Sequence, residues 1–405
     1  MNRVLISIIA LAFCSQVFGQ DFVQWRGDDR NGIYNETGLL KSWPENGPEL
    51  LWHFDDLGVG HASAAVTEKI VYTAGTTGLT GYVYAFDHSG KFLWKSEYGE
   101  EWIKSWPGVR ATPVIDNNKL YIMSGFNKLV CMNSATGVIL WTKDFLKDYD
   151  GENIVWGICE NVVISGDILY CTPGGKETNV VALDKNTGSL IWKSKGNSEL
   201  SAYNSPLLIK VADREIFVTM TANSIIGIDV SNGKMLWKHE QTNQYSVHAN
   251  TPIYENGYLY CFSGYGKGGV MLKLSDDGSS VNQVWKDPNL DSKMGGAILL
   301  NNRIYGSGDK NKRWMCLDWK TGEELFSTTW MGKGNIIYAE GLFYLYSEKG
   351  EVGIVKTDND NFIPVSKFNV PFGSEQHWAH PVIHNKRLYV RHGNSLMVYS
   401  IEDKR

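Results

Sequence analysis

The sequence is short of the features that mark most catalytic classes. It has no C-x-x-C, no C-x-x-C-H and no adjacent cysteine pair, so the usual signatures of thiol redox chemistry and attached haem are missing. It has no G-x-S-x-G and no Ser, His and acid set singled out by spacing, so no nucleophilic triad can be nominated. No basic run is long enough to track a phosphate backbone, and 39 Lys and Arg against 44 Asp and Glu leave a net charge of -5. Nucleic acid is therefore not an expected partner. Beyond the first 20 residues no uncharged apolar stretch approaches the length of a membrane span. Proline is scarce, at 11 of 405 positions, while 42 Gly, 15 Trp and 20 Tyr are present. Many short aromatic strands joined by glycine turns are expected, in a globular all-β chain of mean hydropathy -0.25.

Residues 1–19 read as an export signal. Arg3 is followed by an apolar run from Val4 to Phe13, and Val17-Phe18-Gly19 precedes the expected cleavage point. The mature chain then begins at Gln20, in the periplasm or outside the cell. Phe13 stands before Cys14 where a lipoprotein signal needs a small residue, which argues against a lipid anchor. Five cysteines remain, Cys131, Cys159, Cys171, Cys261 and Cys316, an odd number that leaves at least one unpaired. They read as small buried hydrophobes in strands.

A repeat organises the rest. Ala85-Phe86-Asp87 leads to Gly90 and Trp94, Cys131-Met132-Asn133 to Gly137 and Trp141, and Ala182-Leu183-Asp184 to Gly188 and Trp192. Gly227-Ile228-Asp229 leads to Gly233 and Trp237, Leu274 to Gly278 and Trp285, and Cys316-Leu317-Asp318 to Gly322 and Phe326. Counting from Trp52, the aromatic ends recur every 41–51 residues, the period of a four-stranded propeller blade. Asp and Gly make a tight turn between the third and fourth strands, and Trp packs on the neighbouring sheet. A seventh unit, around Ile336 to Val365, is degenerate. The last three strands, ending at Ser395 to Ile401, lack a fourth, and Glu49 to Phe54 is a fourth strand without a blade. Joining them gives an eight-bladed β-propeller over residues 49–405, of four-stranded antiparallel blades closed by an N-terminal strand. Residues 20–48, with Trp25-Arg26-Gly27, are expected to wrap the outside of that ring.

The repeated Ala-x-Asp-x-x-Thr-Gly-x-x-x-Trp pattern resembles the pyrroloquinoline quinone (PQQ) propeller repeat, found in quinoprotein dehydrogenases and in the lipoprotein of the outer-membrane β-barrel assembly machine. The resemblance covers nearly all of the mature chain. For a dehydrogenase it implies PQQ with calcium, an adjacent-cysteine ring and an aspartate base. Arg110 is similar in blade and register to an arginine that grips the cofactor carboxylate.

A ligand is expected at the channel mouth, where the loops entering the innermost strands converge. Counting back from the second-strand tyrosines aligns His61, Arg110, Cys159, Tyr203, Ala249, Met294, Lys333 and Trp378. One residue earlier stand Gly60, Val109, Ile158, Ala202, His248, Lys293, Gly332 and His377. Docking positions repeat from blade to blade, whereas these vary, as contact with one asymmetric ligand requires. The candidate site is His61, Arg110, Trp156, Tyr203, His248, Lys333, His377 and Trp378, with Trp102 and Trp106 as further stacking surfaces. Arg110 and Lys333 would favour an anionic group. Of the three histidines, His248 of blade five lies far across the ring from His61 and His377 of blades one and eight, which argues against a metal site. Asp28-Asp29-Arg30-Asn31-Gly32 and Asp358-Asn359-Asp360-Asn361 read as polar turns, since neither reaches the distal Glu of a calcium loop.

These readings point to a monomeric, exported, non-catalytic scaffold without a cofactor, binding a protein or a small anionic or sugar-like ligand. The alternatives are a PQQ-dependent dehydrogenase and a carbohydrate-binding or carbohydrate-processing protein.

Overall fold

In the computed structural model, which describes residues 22–358 and 360–404, each repeat folds into four antiparallel strands with the first innermost. The export signal and Cys14 lie outside the described residues, as does Asn359. Blade one comprises Ala65–Val66, Ile70–Thr77, Thr80–Asp87 and Phe92–Glu100. Six further blades follow in chain order, the seventh from Gly334 to Asn369. In the eighth, Val382–His384, Arg387–His392 and Ser395–Ser400 are completed by Glu49–Phe54, which pairs antiparallel with Ser395–Ser400. The ring is thus an eight-bladed all-β propeller. One cluster of buried apolar side chains fills each of the eight interfaces between neighbouring blades.

The repeat residues hold those interfaces. A small side chain sits directly opposite the aromatic: Ala85 pairs with Trp94, Cys131 with Trp141, Ala182 with Trp192, Gly227 with Trp237 and Cys316 with Phe326. A bulge follows the small residue every time, where the strand must bend over the ring. At Gly227 the Trp237 ring comes closer still, since a Cβ there would lie 2.3 Å from it unless the indole moved. Trp94 packs on the next blade with its N–H unpartnered among the described residues, whereas four of the indoles donate to a turn carbonyl there, Trp141 to Lys185, Trp192 to Val230, Trp237 to Gly278 and Trp285 to Trp319. Trp52 does the same to His88 across the closure, at 3.1 Å. The closing interface is therefore built like the others.

Blade seven lacks this aromatic, because Ser366 occupies the place opposite Ile354. Trp43, from the extension, fills it. Its backbone N–H donates to Ser366 Oγ at 2.7 Å and its indole to the Val352 carbonyl, with its ring on Tyr344 and Phe368.

The first part of the extension does not run round the outside. Phe22–Val23 pairs with the innermost strand of blade two and Ile33–Tyr34 with that of blade seven, so the chain crosses the channel. Arg30 donates to the Asn161, Val162 and Pro206 carbonyls, and Arg26 to the Ala297 and Ile336 carbonyls and to His380 Nδ1. Innermost strands point unpaired carbonyls into the channel, and a guanidinium with its fork of donors satisfies several at once. This explains why two buried arginines were placed here. Gly296 leaves room for one of them, a Cβ there falling 2.2 Å from Arg26 Nη1. Burial lowers both arginines to about 10, which keeps them cationic at neutral pH.

Candidate functional site

Above this plug the channel opens into a cavity of about 440 Å³, floored by Trp25 and His380. The size lies within the range of small-molecule sites. Seven of the eight residues aligned by register line it: His61, Arg110, Cys159, Tyr203, Ala249, Met294 and Trp378. The eighth, Lys333, lies beside it in a small adjoining recess together with His377.

The residues one place earlier behave differently. Val109, Ile158, Ala202 and His248 turn back into the ring and are almost wholly buried. Extended backbone sends successive side chains to opposite sides, so these four face away from the channel, while Lys293 and His377 of the same row reach its rim from looser loops. His248 is accordingly not a mouth residue. It is fully buried, bonded to Ser263 Oγ at 2.6 Å and to the Ala222 carbonyl, and burial lowers it to about 4. His377 bonds the Tyr346 hydroxyl and stacks on His392, with its pKa also lowered to about 4 by burial.

The cations are engaged as well. Arg110 donates to the carbonyls of Ser105, Trp106 and Trp156, tying together the loops that carry the two tryptophans. Lys333 bonds Asp309 at 2.5 Å and Glu348 at 2.9 Å, and Lys293 lies 3.4 Å from Asp309. Burial works against the Lys333 charge, but those carboxylates outweigh it and hold the pKa above its ordinary value. The expectation of free positive charge for an anionic ligand is thus corrected. Two lysines and two carboxylates neutralise one another, and the arginine serves as a loop staple.

What remains facing the cavity is aromatic and neutral. Trp378 touches His61 and Trp106, with ring centroids 4.8 and 5.2 Å apart. Trp156 contacts Tyr203 and Tyr245, and Tyr245 contacts Tyr265. Trp102 instead packs inward on Phe126. Trp106, Tyr203 and Tyr265 hold left-handed backbone conformations, at φ of 50°, 70° and 62°. Bulky side chains pay strain there and are kept by their surroundings, a pattern common at ligand sites. His61 is 8% exposed, and neither ring nitrogen has a partner among the described residues. Burial, reinforced by Arg110 and Arg391, lowers it to about 3, so the imidazole is neutral. Cys159 gives its Sγ–H to the Tyr203 carbonyl, and burial pushes the thiol up to about 12, far from a nucleophile.

Sequence reasoning missed Trp25, Tyr245, Tyr265, Glu348 and Gln376. Tyr265 and Glu348 stand in turns that follow the second strands of their blades, a few residues beyond the aligned Tyr260 and Tyr344, so register could have found them. Tyr245 and Gln376 lie in loops outside the repeat, which leave no such signal. Deeper still, side chains link neighbouring blades: Thr112 Oγ1 accepts from Ser63 N–H, Asn161 Oδ1 from Thr112 N–H, and Ser205 Oγ from Asn161 Nδ2.

A family model described as outer membrane protein assembly factor BamB matches residues 79–328, well over half of the chain. The chain belongs to this family of PQQ-like propellers. Among curated members it is 26% identical over 146 residues to a quinoprotein ethanol dehydrogenase of Pseudomonas aeruginosa, covering 36% of this chain and 20% of that protein. It is 22% identical over 186 residues to the assembly factor BamB of Nitrosomonas eutropha, covering 44% and 41%. The chain thus spans less than half the length of these curated relatives. Solved propellers of the family share its fold. BamB from Moraxella catarrhalis superposes with a TM-score of 0.60 at 17% identity, over 85% of this chain and 95% of that one. A europium-containing methanol dehydrogenase gives 0.65 at 13% identity, over 92% and 90%.

The dehydrogenase members raise the question of a quinone cofactor with its metal. The residues at this mouth do not fit one. Arg110 already serves three carbonyls, Glu348 is the single carboxylate lining the cavity, and it is bonded to Lys333. No cluster of three His, Cys, Asp or Glu is placed to hold a metal ion among the described residues. No helix there is long and apolar enough to cross a membrane.

Proposed function

We propose that this propeller is an exported, non-catalytic binding scaffold that takes a ligand, or a projecting segment of a partner protein, into the mouth of its ring. One observation carries the reading. A single register position, read round the ring, brings seven different residue types from seven blades to one cavity. Fold-holding positions in the same chain keep one character, with a small residue opposite an aromatic in five blades, so the wider variation at the mouth answers to something other than the fold. Membership in a family described as an assembly factor favours a partner over a reaction, and the neutral, raised-pKa or bonded state of the mouth's titratable groups leaves no poised acid, base or nucleophile.

The test is a thermal-shift screen of the full chain with saccharides, peptides, and PQQ plus calcium. A compound that binds only the folded state raises the melting temperature. The expected result is a rise in the wild type that Trp378→Ala abolishes while its unliganded melting temperature stays close to the wild-type value. Dye reduction with an alcohol or sugar after reconstitution with PQQ and calcium would overturn the non-catalytic reading.

A further inference from the structure

The mouth is divided by chemistry. Its aromatic arc runs over Trp378, Trp106, Trp156, Tyr203 and Tyr265, carried by loops from blade eight round to blade five. Facing the loops of blades two and three across an eight-membered ring are blades six and seven, which contribute Lys293 and Glu348. The lysines and carboxylates on that side form one closed chain, Lys293 to Asp309 to Lys333 to Glu348, with equal numbers of each sign. A ligand bearing net charge would meet a neutral set on that side, and Arg110 opposite, though cationic, already has its donors on three loop carbonyls, so little offsets the water the ligand must leave behind. An uncharged ligand meets no such cost.

Three buried polar atoms of lining residues nevertheless lack partners. Both nitrogens of the buried His61, and Gln376 Oε1, have none among the described residues. A neutral imidazole offers one donor and one acceptor, and an amide oxygen accepts. Hydroxyl groups, which donate and accept, complement this set where a carboxylate or an ammonium does not. The floor is closed by Trp25 and the arginine plug beneath it, so nothing can thread through, and an occupant must enter by one end.

We infer that the mouth binds the uncharged terminal ring of a saccharide, its C–H face against the Trp378, Trp106 and Trp156 arc and its hydroxyls on His61, Gln376 and Glu348. The inference rests on the mouth being the ligand site, as proposed above, and adds the class of ligand. Aromatic faces carry a negative quadrupole that attracts the polarised C–H groups of a pyranose, and the rigid, strained placement of Trp106, Tyr203 and Tyr265 presents those faces without ordering cost.

The experiment is a glycan array on the full chain, spanning neutral gluco-, manno- and chito-oligosaccharides, sialylated and uronic-acid glycans, followed by calorimetric titration of each hit. Neutral glycans sharing a terminal ring are expected to bind, with affinity falling at least about tenfold in His61→Phe, which keeps the packing but removes both nitrogens. Trp378→Ala provides a second variant should His61→Phe misfold. Binding confined to acidic glycans, or neutral hits indifferent to both variants, would overturn the saccharide assignment. The thermal-shift screen separates the two readings. A non-saccharide hit that Trp378→Ala abolishes, with an empty array, leaves the mouth as the site and ends the saccharide proposal, and silence in both ends both.

Discussion

At the scale of single residues, the histidines show how far the side of a strand decides chemistry. His61 and His248 stand one register place apart in their blades, yet one faces the cavity unpartnered and the other is sealed in the wall. His380 is pinned further still. Because Arg26 can only donate, His380 Nδ1 must accept, which leaves its Nε2–H for the Met294 carbonyl at 2.8 Å and fixes a neutral tautomer. Burial and Arg26 together hold its pKa well below the ordinary value. Such groups link stability to pH. The unfolded chain takes a proton on His248 near pH 6.5, whereas the folded protein resists until about 4. Stability from this residue is complete above pH 6.5 and falls as pH drops through that window, by about 1.4 kcal/mol per unit. Glu160, pushed up to about 8 by burial, pulls the other way, so a difference between variants is the right readout. The stability gap between wild type and His248→Gln, measured by urea unfolding, should narrow by about 2–3 kcal/mol from pH 7 to 4.5. A constant gap would show that the ring charges in both states. Arg110 yields a second expectation. Since it binds three loop carbonyls, Arg110→Ala should lower unliganded stability by ~1–3 kcal/mol, and an unchanged melting temperature would contradict the staple.

At the scale of the element, the four-stranded blade was legible because its cues are local and repeat: an Asp turn, a Gly at positive φ, an aromatic at fixed distance. The pairing of Glu49–Phe54 with Ser395–Ser400 followed from counting, since one end lacked a strand that the other end had spare. The candidate site was legible to the extent that register is, and seven of eight positions along one row meet. Side-chain partners were not legible, because the carbonyls that occupy Arg110 and the carboxylates that occupy Lys333 come from other loops and blades. The role of Ser366 was equally hidden, for the tryptophan that compensates it lies more than 300 residues away in the extension. Blade docking gives its own prediction. Gly227→Ala places a methyl within 2.3 Å of the Trp237 ring, which must shift against the next blade to make room. It should cost ~1–3 kcal/mol, whereas Ala182→Gly at the matching place in blade three should cost ~1 kcal/mol or less, both read from denaturant midpoints. Equal effects would mean that the small residue is not what the indole requires.

At the scale of the molecule, the N-terminal residues do two separable things. Residues 22–34 fill the channel, and Glu49–Phe54 closes the ring. The plug reaches six blades, through two short strands and the guanidinium groups of Arg26 and Arg30, but the buried cores between blades are built mainly from blade residues, with Val23, Ile33 and Tyr34 of the plug packing only at their margins. Its removal leaves carbonyls facing a wider channel that water can enter, and water replaces part of the lost bonding. The closing strand has no such substitute. Without it, Ser395–Ser400 becomes an open edge of buried character beside an exposed apolar interface, ready to pair with another copy. The double variant Arg26→Ala with Arg30→Ala should therefore stay folded with the wild-type mass by light scattering, with stability lower by ~2–5 kcal/mol and faster amide exchange confined to the innermost strands. Deletion of residues 49–56 should instead yield dimers or aggregates at the same concentration. If the arginine variant aggregated as readily as the deletion, the plug and not the closing strand would be what keeps the ring shut.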